Sequence, residues 1–183
     1  MTRTAGANLG RLLERCPTRS MQRRLVRCVP QLDFNKNDPP TFLYTAGRPN
    51  RCNPRGVSCL YFSETEATAD LEYRQHWRGT LAEHQPKLTF FARVKLSRII
   101  DLKDREVMRL LGISQDDFEA NWRFALGPTI LQRVGEAIDS QQEISALRFP
   151  SAAARQQHKA GWNVARGTTA AIVLPRRVLR TRN

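Results

Sequence analysis

Arg51, Tyr61 and Glu72 are a cation, an aromatic and a carboxylate on one short stretch. It runs Asn50-Arg51-Cys52-Asn53-Pro54-Arg55-Gly56-Val57-Ser58-Cys59-Leu60-Tyr61-Phe62-Ser63 and on to Leu71-Glu72-Tyr73. An arginine fork can hold two phosphate oxygens at once. An aromatic face can stack on a heterocycle. A carboxylate fixed near a reacting centre stabilises positive charge as it develops, often the largest catalytic contribution. Together they suit a phosphate-bearing, ring-bearing substrate that reacts through a cationic centre. Each residue also has a plainer reading. Arg51 could be a solvated turn arginine, one of many in the chain. Tyr61 could be core. Glu72 could be a surface helix residue paired with His76. Glu72 lies between Leu71 and Tyr73, however, at the edge of a buried face. A carboxylate there needs a partner, and Arg51 is the candidate.

A turn, a strand and a helix must aim these groups at one cleft. Asn53-Pro54 and Gly56 are turn chemistry. Val57 to Phe62 is rich in strand formers. Ser63, with Glu66 three residues on, reads as a capping box that opens a helix and carries Glu72 about two turns in. Upstream, Gly10 to Cys16 reads as a short helix and Arg24 to Val29 as a strand stopped by Pro30. Phe34 to Pro40 reads as a loop and Phe42 to Thr45 as a short strand. Downstream, Leu88 to Leu96 is a strong strand, continued by Ile99 to Leu102. Asp104 to Leu111 is a helix ended by Gly112. Ser114 with Asp117 predicts a second helix to about Leu126. Pro128 suits the first turn of a third, to about Asp139. Ala146 to Phe149 and Ala170 to Leu174 read as strands, separated by a long polar connection, Arg155 to Thr169. Strands first and last with helices between predict a single α+β domain, a mixed central sheet with packed helices.

The order Asn-Arg-x-Asn-Pro-x-Gly, then Leu-Tyr-x-Ser, then Ala-x-x-Glu resembles the RES-domain toxins of bacterial toxin–antitoxin pairs. The resemblance spans about Leu25 to Leu174. That family is named for an arginine, a glutamate and a serine. Arg51 and Glu72 match the first two, and Ser151 in Arg148-Phe149-Pro150-Ser151-Ala152 looks like the third. Alone, Ser151 also reads as an N-cap for Ala152 to Gln157. Cys52 stands where the family usually has an aromatic. The resemblance implies a fold like that of ADP-ribosyltransferases and NAD as substrate. It implies cleavage of the nicotinamide–ribose bond by hydrolysis, phosphorolysis or ADP-ribosyl transfer, with no metal. Such a bond has a good leaving group and an oxocarbenium-like transition state, as in glycoside hydrolysis. Arg51, Glu72, Ser151 and Tyr61 are then the catalytic candidates. Arg27, Arg48 and Asn163 are the NAD-binding ones. An Xre-like antitoxin covering the cleft is the implied partner, with Arg155 to Thr169 and the tail arginines Arg176 to Arg182 as expected contacts.

The net charge of +13 sits mostly at the ends. Residues 1–30 carry seven arginines against Glu14, and residues 175–183 carry four arginines and no acid. We read 1–23 as a basic N-terminal extension, 24–175 as the catalytic domain and 176–183 as a basic tail. An RNA-binding or RNA-cleaving toxin is the alternative function, and a module binding through its tails is a third. Against direct nucleic-acid binding, the central body is nearly balanced. No aromatics interleaved with Lys and Arg stand out on one strand, as RNA-binding sheets have. No Gly-rich dinucleotide fingerprint or nucleophile elbow is present. Cys16, Cys28, Cys52 and Cys59 form no metal pattern and read as reduced thiols. No apolar run reaches the roughly 18 residues of a membrane span, and no secretory signal is visible. The expected place is the cytoplasm.

Overall fold

The computed structural model describes residues 2–36, 41–141, 143–151, 153, 160–164 and 170–173. Its longest element is β3, Lys87–Asp101, and the sheet is built around it. Along β3, Phe90, Ala92, Val94 and Leu96 are buried, while Arg93 and Lys95 are exposed. This period of two gives one face to the core and one to solvent. The other strands are β1 (Arg19–Pro30), β2 (Leu60–Ser63), β4 (Ala146–Pro150), β5 (Ala160–Val164) and β6 (Ala170–Val173). Their order is β1-β2-β5-β4-β3-β6, and β1 also pairs with β3. The sheet therefore curls until its circuit closes. Among the described residues β3 and β4 run parallel, and the other pairs are antiparallel. The result is the mixed-sheet α+β domain that the sequence predicts.

The helices are α1 (Thr2–Arg15), α2 (Gln31–Lys36), α3 (Glu66–Trp77), α4 (Arg105–Leu111) and α5 (Ile130–Ser140). Two apolar clusters hold them. Leu25, Val29, Phe42, Leu60, Phe62 and Phe90 fill the curl of the sheet. Leu9, Leu13, Leu111, Leu131, Val134 and Ile138 pack α1, α4 and α5 onto Ile100, Leu147 and Phe149. Burying a leucine or phenylalanine fully contributes about 1.5–3 kcal/mol. Asp104 caps α4 through Glu106 N, and Gly112, at φ 64°, closes it in the left-handed conformation. Thr129 and Gln132 form a reciprocal capping box at α5. All four cysteines are free thiols.

Several local expectations are corrected. Ser63 is not a helix cap, because it is the last residue of β2, paired with Val26 and Gly161. Thr65 caps α3 instead, accepting from Thr68 N. Phe42 to Thr45 is not a strand. A 3-10 turn spans Thr41–Leu43, and only Tyr44 bridges to Leu60. Ser114 and Asp117 do bond, through both the N and Oγ of Ser114. Yet they open only the 3-10 turn Asp116–Phe118. Beyond it Phe124 and Leu126 are exposed, so no apolar stripe exists to pack a helix. The polar connection after Ser151 contains β5. The rest of Arg155 to Thr169, and the tail from 174 onward, lie outside the described residues.

Candidate functional site

The turn that carries Arg51 is pinned from inside by Asn53, whose side chain is fully buried. Its Nδ2 donates to the carbonyls of Arg48 and Val57, both at 2.9 Å, and its Oδ1 accepts from the Tyr61 hydroxyl at 2.9 Å. Gly47 and Gly56 both have positive φ, and Gly56 N reaches Gly47 O at 2.9 Å. Glycine is needed there because side chains rarely adopt that conformation. From α5, Gln132 Nε2 donates to Asn50 O at 2.9 Å. Cys52 is fully buried where α5 crosses closest, and a Cβ at Gly135 would overlap the Cys52 carbonyl oxygen. Burial pushes the Cys52 thiol pKa up, so it stays protonated.

Arg51 leaves this turn half-buried. Its Nη1 donates to Phe118 O, and its backbone N to Asn50 Oδ1 at 3.0 Å. Tyr61, on β2, spends its hydroxyl on the same turn, also accepting from Cys52 N at 3.0 Å. Its ring meets Phe149 edge-on, with centroids 6.1 Å apart. On β1 the register Arg27↔Phe90 turns Arg27 to the inner face of the sheet. Its Nη1 donates to Tyr61 O at 2.8 Å, while its buried Nε has no partner. A buried donor left open is rare, and it gives Arg27 a donor that a ligand in the cavity could use. Burial lowers the Arg27 pKa from its ordinary value.

Glu72 projects from the middle of α3. Its Oε1 accepts from the Ser151 hydroxyl and, at 3.4 Å, from Ala153 N. Ser151 is fully buried at the end of β4. These are the partners of the carboxylate. Among the described residues no ion pair joins Glu72 to Arg51, so the expected pairing of those two is corrected.

Arg27, Arg48, Arg51, Tyr61, Glu72 and His76 line one cavity of ≈ 290 Å³, along with apolar groups such as Tyr73, Trp77 and Phe149. His76 follows Glu72 by one helical turn and stacks edge-on against Trp77 at 4.9 Å. Its carbonyl accepts from Arg123 at 3.4 Å. Partial burial, then the charges of Arg123, Arg27 and Arg48, hold its pKa down at about 4. His76 is therefore neutral near pH 7. The cavity joins three arginines to the anchored carboxylate of Glu72, with Asp33 also on its lining, which suits an anionic substrate reacting beside Glu72. Among the described residues no cluster of His, Cys, Asp and Glu could hold a metal ion. No helix among them is long and apolar enough to cross a membrane.

Five of the seven predicted site residues thus line the cavity, and Ser151 joins them through Glu72. Asn163 pairs with Tyr61 and Leu147 in the sheet, but its side chain lies outside the described residues. Sequence reasoning took Asn53 only as a turn residue and His76 only as a partner for Glu72, and it missed the Phe118 carbonyl. Asn53 carried a signal as the Asn of Asn-Pro, a residue that favours turns by bonding nearby backbone. The Phe118 carbonyl had none, since any residue supplies one.

No curated protein sequence matches the chain. Among solved structures it is similar to a chain in the crystal structure of the M. tuberculosis MbcT–MbcA toxin–antitoxin complex. The identity is 17%, the TM-score is 0.66, and the match covers 92% of this chain and 93% of that one. The pattern of the RES domain matches residues 24–176, most of the sequence. The chain belongs to the RES domain family.

Proposed function

We propose that this protein is an enzyme that binds NAD and cleaves its nicotinamide–ribose bond, acting as the toxin of a toxin–antitoxin pair. The observation that carries the reading is the cavity, where Glu72, anchored by Ser151, faces Arg27, Arg48 and Arg51. The arginines hold the pyrophosphate, whose oxygens match their forked donors. The ring of Tyr61 offers a face to the nicotinamide or adenine. As the bond to the ribose carbon breaks, nicotinamide leaves neutral with the bonding electrons. Positive charge grows on the ribose, and the Glu72 carboxylate stabilises it. Water, phosphate or a protein side chain then bonds to that carbon, and any proton the acceptor loses passes to solvent. Ser151 holds the carboxylate in line throughout. The similarity to a toxin–antitoxin complex supports a protein inhibitor, and the charge of the mouth favours an acidic, Xre-like one through faster association. The expected contact segments, Arg155 to Thr169 and Arg176 to Arg182, lie largely outside the described residues.

The test is expression in a bacterial host with and without the neighbouring reading frame. The chain alone lowers cellular NAD and slows growth, and the neighbour binds it and restores both. Normal NAD in cells expressing the chain alone contradicts the reading.

One observation favours nucleic-acid binding as a second reading. On β3, Phe91, Arg93 and Lys95 alternate on the outer face, and Arg24 lies opposite Arg93, with its guanidinium 4.9 Å from the Phe91 ring centre. This is an aromatic interleaved with cations, which the sequence alone did not reveal. Steep weakening by salt identifies binding of that kind.

A further inference from the structure

We propose that Arg148 is a positioning residue, which sets the approach of Ser151 to Glu72 by joining Glu64 to Asp101. The proposal rests on the NAD-cleavage reading for its rate measurements and is independent of it for its structural one.

Arg148 lies on β4, three residues before Ser151. Its Nη1 donates to Asp101 Oδ2 at 2.9 Å. Its Nε and Nη2 donate to Glu64 Oε1 at 3.2 and 2.9 Å. Asp101 is buried, and the Glu64 and Arg148 side chains are largely so, at 12% and 19% exposure. Arg23 adds a bond to Glu64 at 3.2 Å, and Arg19 pairs with Asp101. One guanidinium thus ties β4 to the end of β3 and to the residue that joins β2 to α3.

Two arms leave this clamp. Along β4, Arg148 to Ser151 spans about 10 Å. Along α3, the cap Thr65 to Glu72 also spans about 10 Å. The arms meet at the Ser151–Glu72 hydrogen bond. Glu64 directly precedes Thr65, so the guanidinium fixes the origin of both arms. A slip of β4 against α3 moves Ser151 away from the carboxylate, and small misplacements of this kind lower rates by up to about 100-fold. A lysine keeps the charge of Arg148 but cannot present a planar fork to two carboxylates at once.

The experiment compares wild type, Arg148→Lys, Glu64→Gln, Ser151→Ala and the double variants with Ser151→Ala. Melting curves select the folded proteins, and Glu64→Gln, which keeps shape and removes charge, serves if Arg148→Lys does not fold. We expect Arg148→Lys and Glu64→Gln to lower kcat about 10- to 100-fold with KM little changed. In the Ser151→Ala background neither should lower kcat further, since coupled residues are non-additive. Amide exchange should quicken at Ala153 and stay unchanged at Val134. Losses that multiply independently of Ser151, or unchanged exchange at Ala153, overturn the proposal. If the wild type does not cleave NAD, the functional reading fails and the exchange result alone decides this one.

Discussion

The Ser151 hydroxyl donates to Oε1 of Glu72 across 79 residues of sequence. This one bond brings the end of β4 to the middle of α3, where Glu72 shares a cavity with Arg27, Arg48 and Arg51. Arg51, which the sequence resemblance matches to the family's arginine, lines the same cavity and bonds to the Phe118 carbonyl. That bond uses one of the five guanidinium donors and leaves the others for a ligand.

Glu72→Gln keeps the shape of the side chain and removes its charge. We expect NAD cleavage to fall at least about 100-fold, with the melting temperature nearly unchanged. Nicotinamide release and a thermal melt on the same preparation check both halves.

Ser151→Ala leaves Glu72 with the weaker bond from Ala153 N. A hydrogen bond to a charged group is worth about 1.5–3 kcal/mol, so kcat should drop roughly 10- to 100-fold. Steady-state kinetics that show a change in KM alone would count against the orienting role.

Arg51→Lys keeps the cation and loses the fork. In a Glu72→Gln background, which prevents turnover, calorimetry should show weaker NAD binding than Glu72→Gln alone. Equal dissociation constants would remove Arg51 from the pyrophosphate site.

Gly135→Ala reverses a common rule. Alanine in a helix interior usually stabilises by up to about 1 kcal/mol over glycine. Here the added Cβ overlaps the Cys52 carbonyl. Overpacking costs about 1–3 kcal/mol, so denaturant melts should show a loss of stability. Because the same contact supports the Arg51 turn, activity should fall with it.

His76 has a folded pKa of about 4 against an ordinary 6.5. Between those values the unfolded chain binds the proton and the folded chain does not. Stability therefore rises with pH through that window and is lost as pH falls from 6.5 toward 4. The imidazole titration followed by NMR should have its midpoint well below 6.5, and His76→Gln should flatten this part of the stability curve.

Much of the site was legible because its chemistry lies in local motifs. The turn residues Asn53 and Gly56, the strand at Tyr61 and the helix bearing Glu72 follow from short-range rules. So does the Gly112 cap, where one backbone angle decides. Tertiary contacts hid the rest. Ser63 is as good a cap as Thr65 by type, but its place in the sheet excludes it. The stretch after Ser114 has a cap and no amphipathic face, so the cap closes a single turn. Strand β5 is brief, and one of its two partners, β2, is distant in sequence. Arg51 turns to Phe118 through a fold-level contact that no local pattern encodes.

The central claim is that the Glu72 cavity cleaves NAD, and the direct measurement is free nicotinamide released by purified protein. Wild type and Glu72→Gln are incubated with NAD, each with and without phosphate. The account predicts nicotinamide from wild type, almost none from Glu72→Gln, and an arginine-wall variant such as Arg27→Met impaired mainly at low NAD. Intact NAD with folded wild type under both conditions, or equal release from Glu72→Gln, contradicts it.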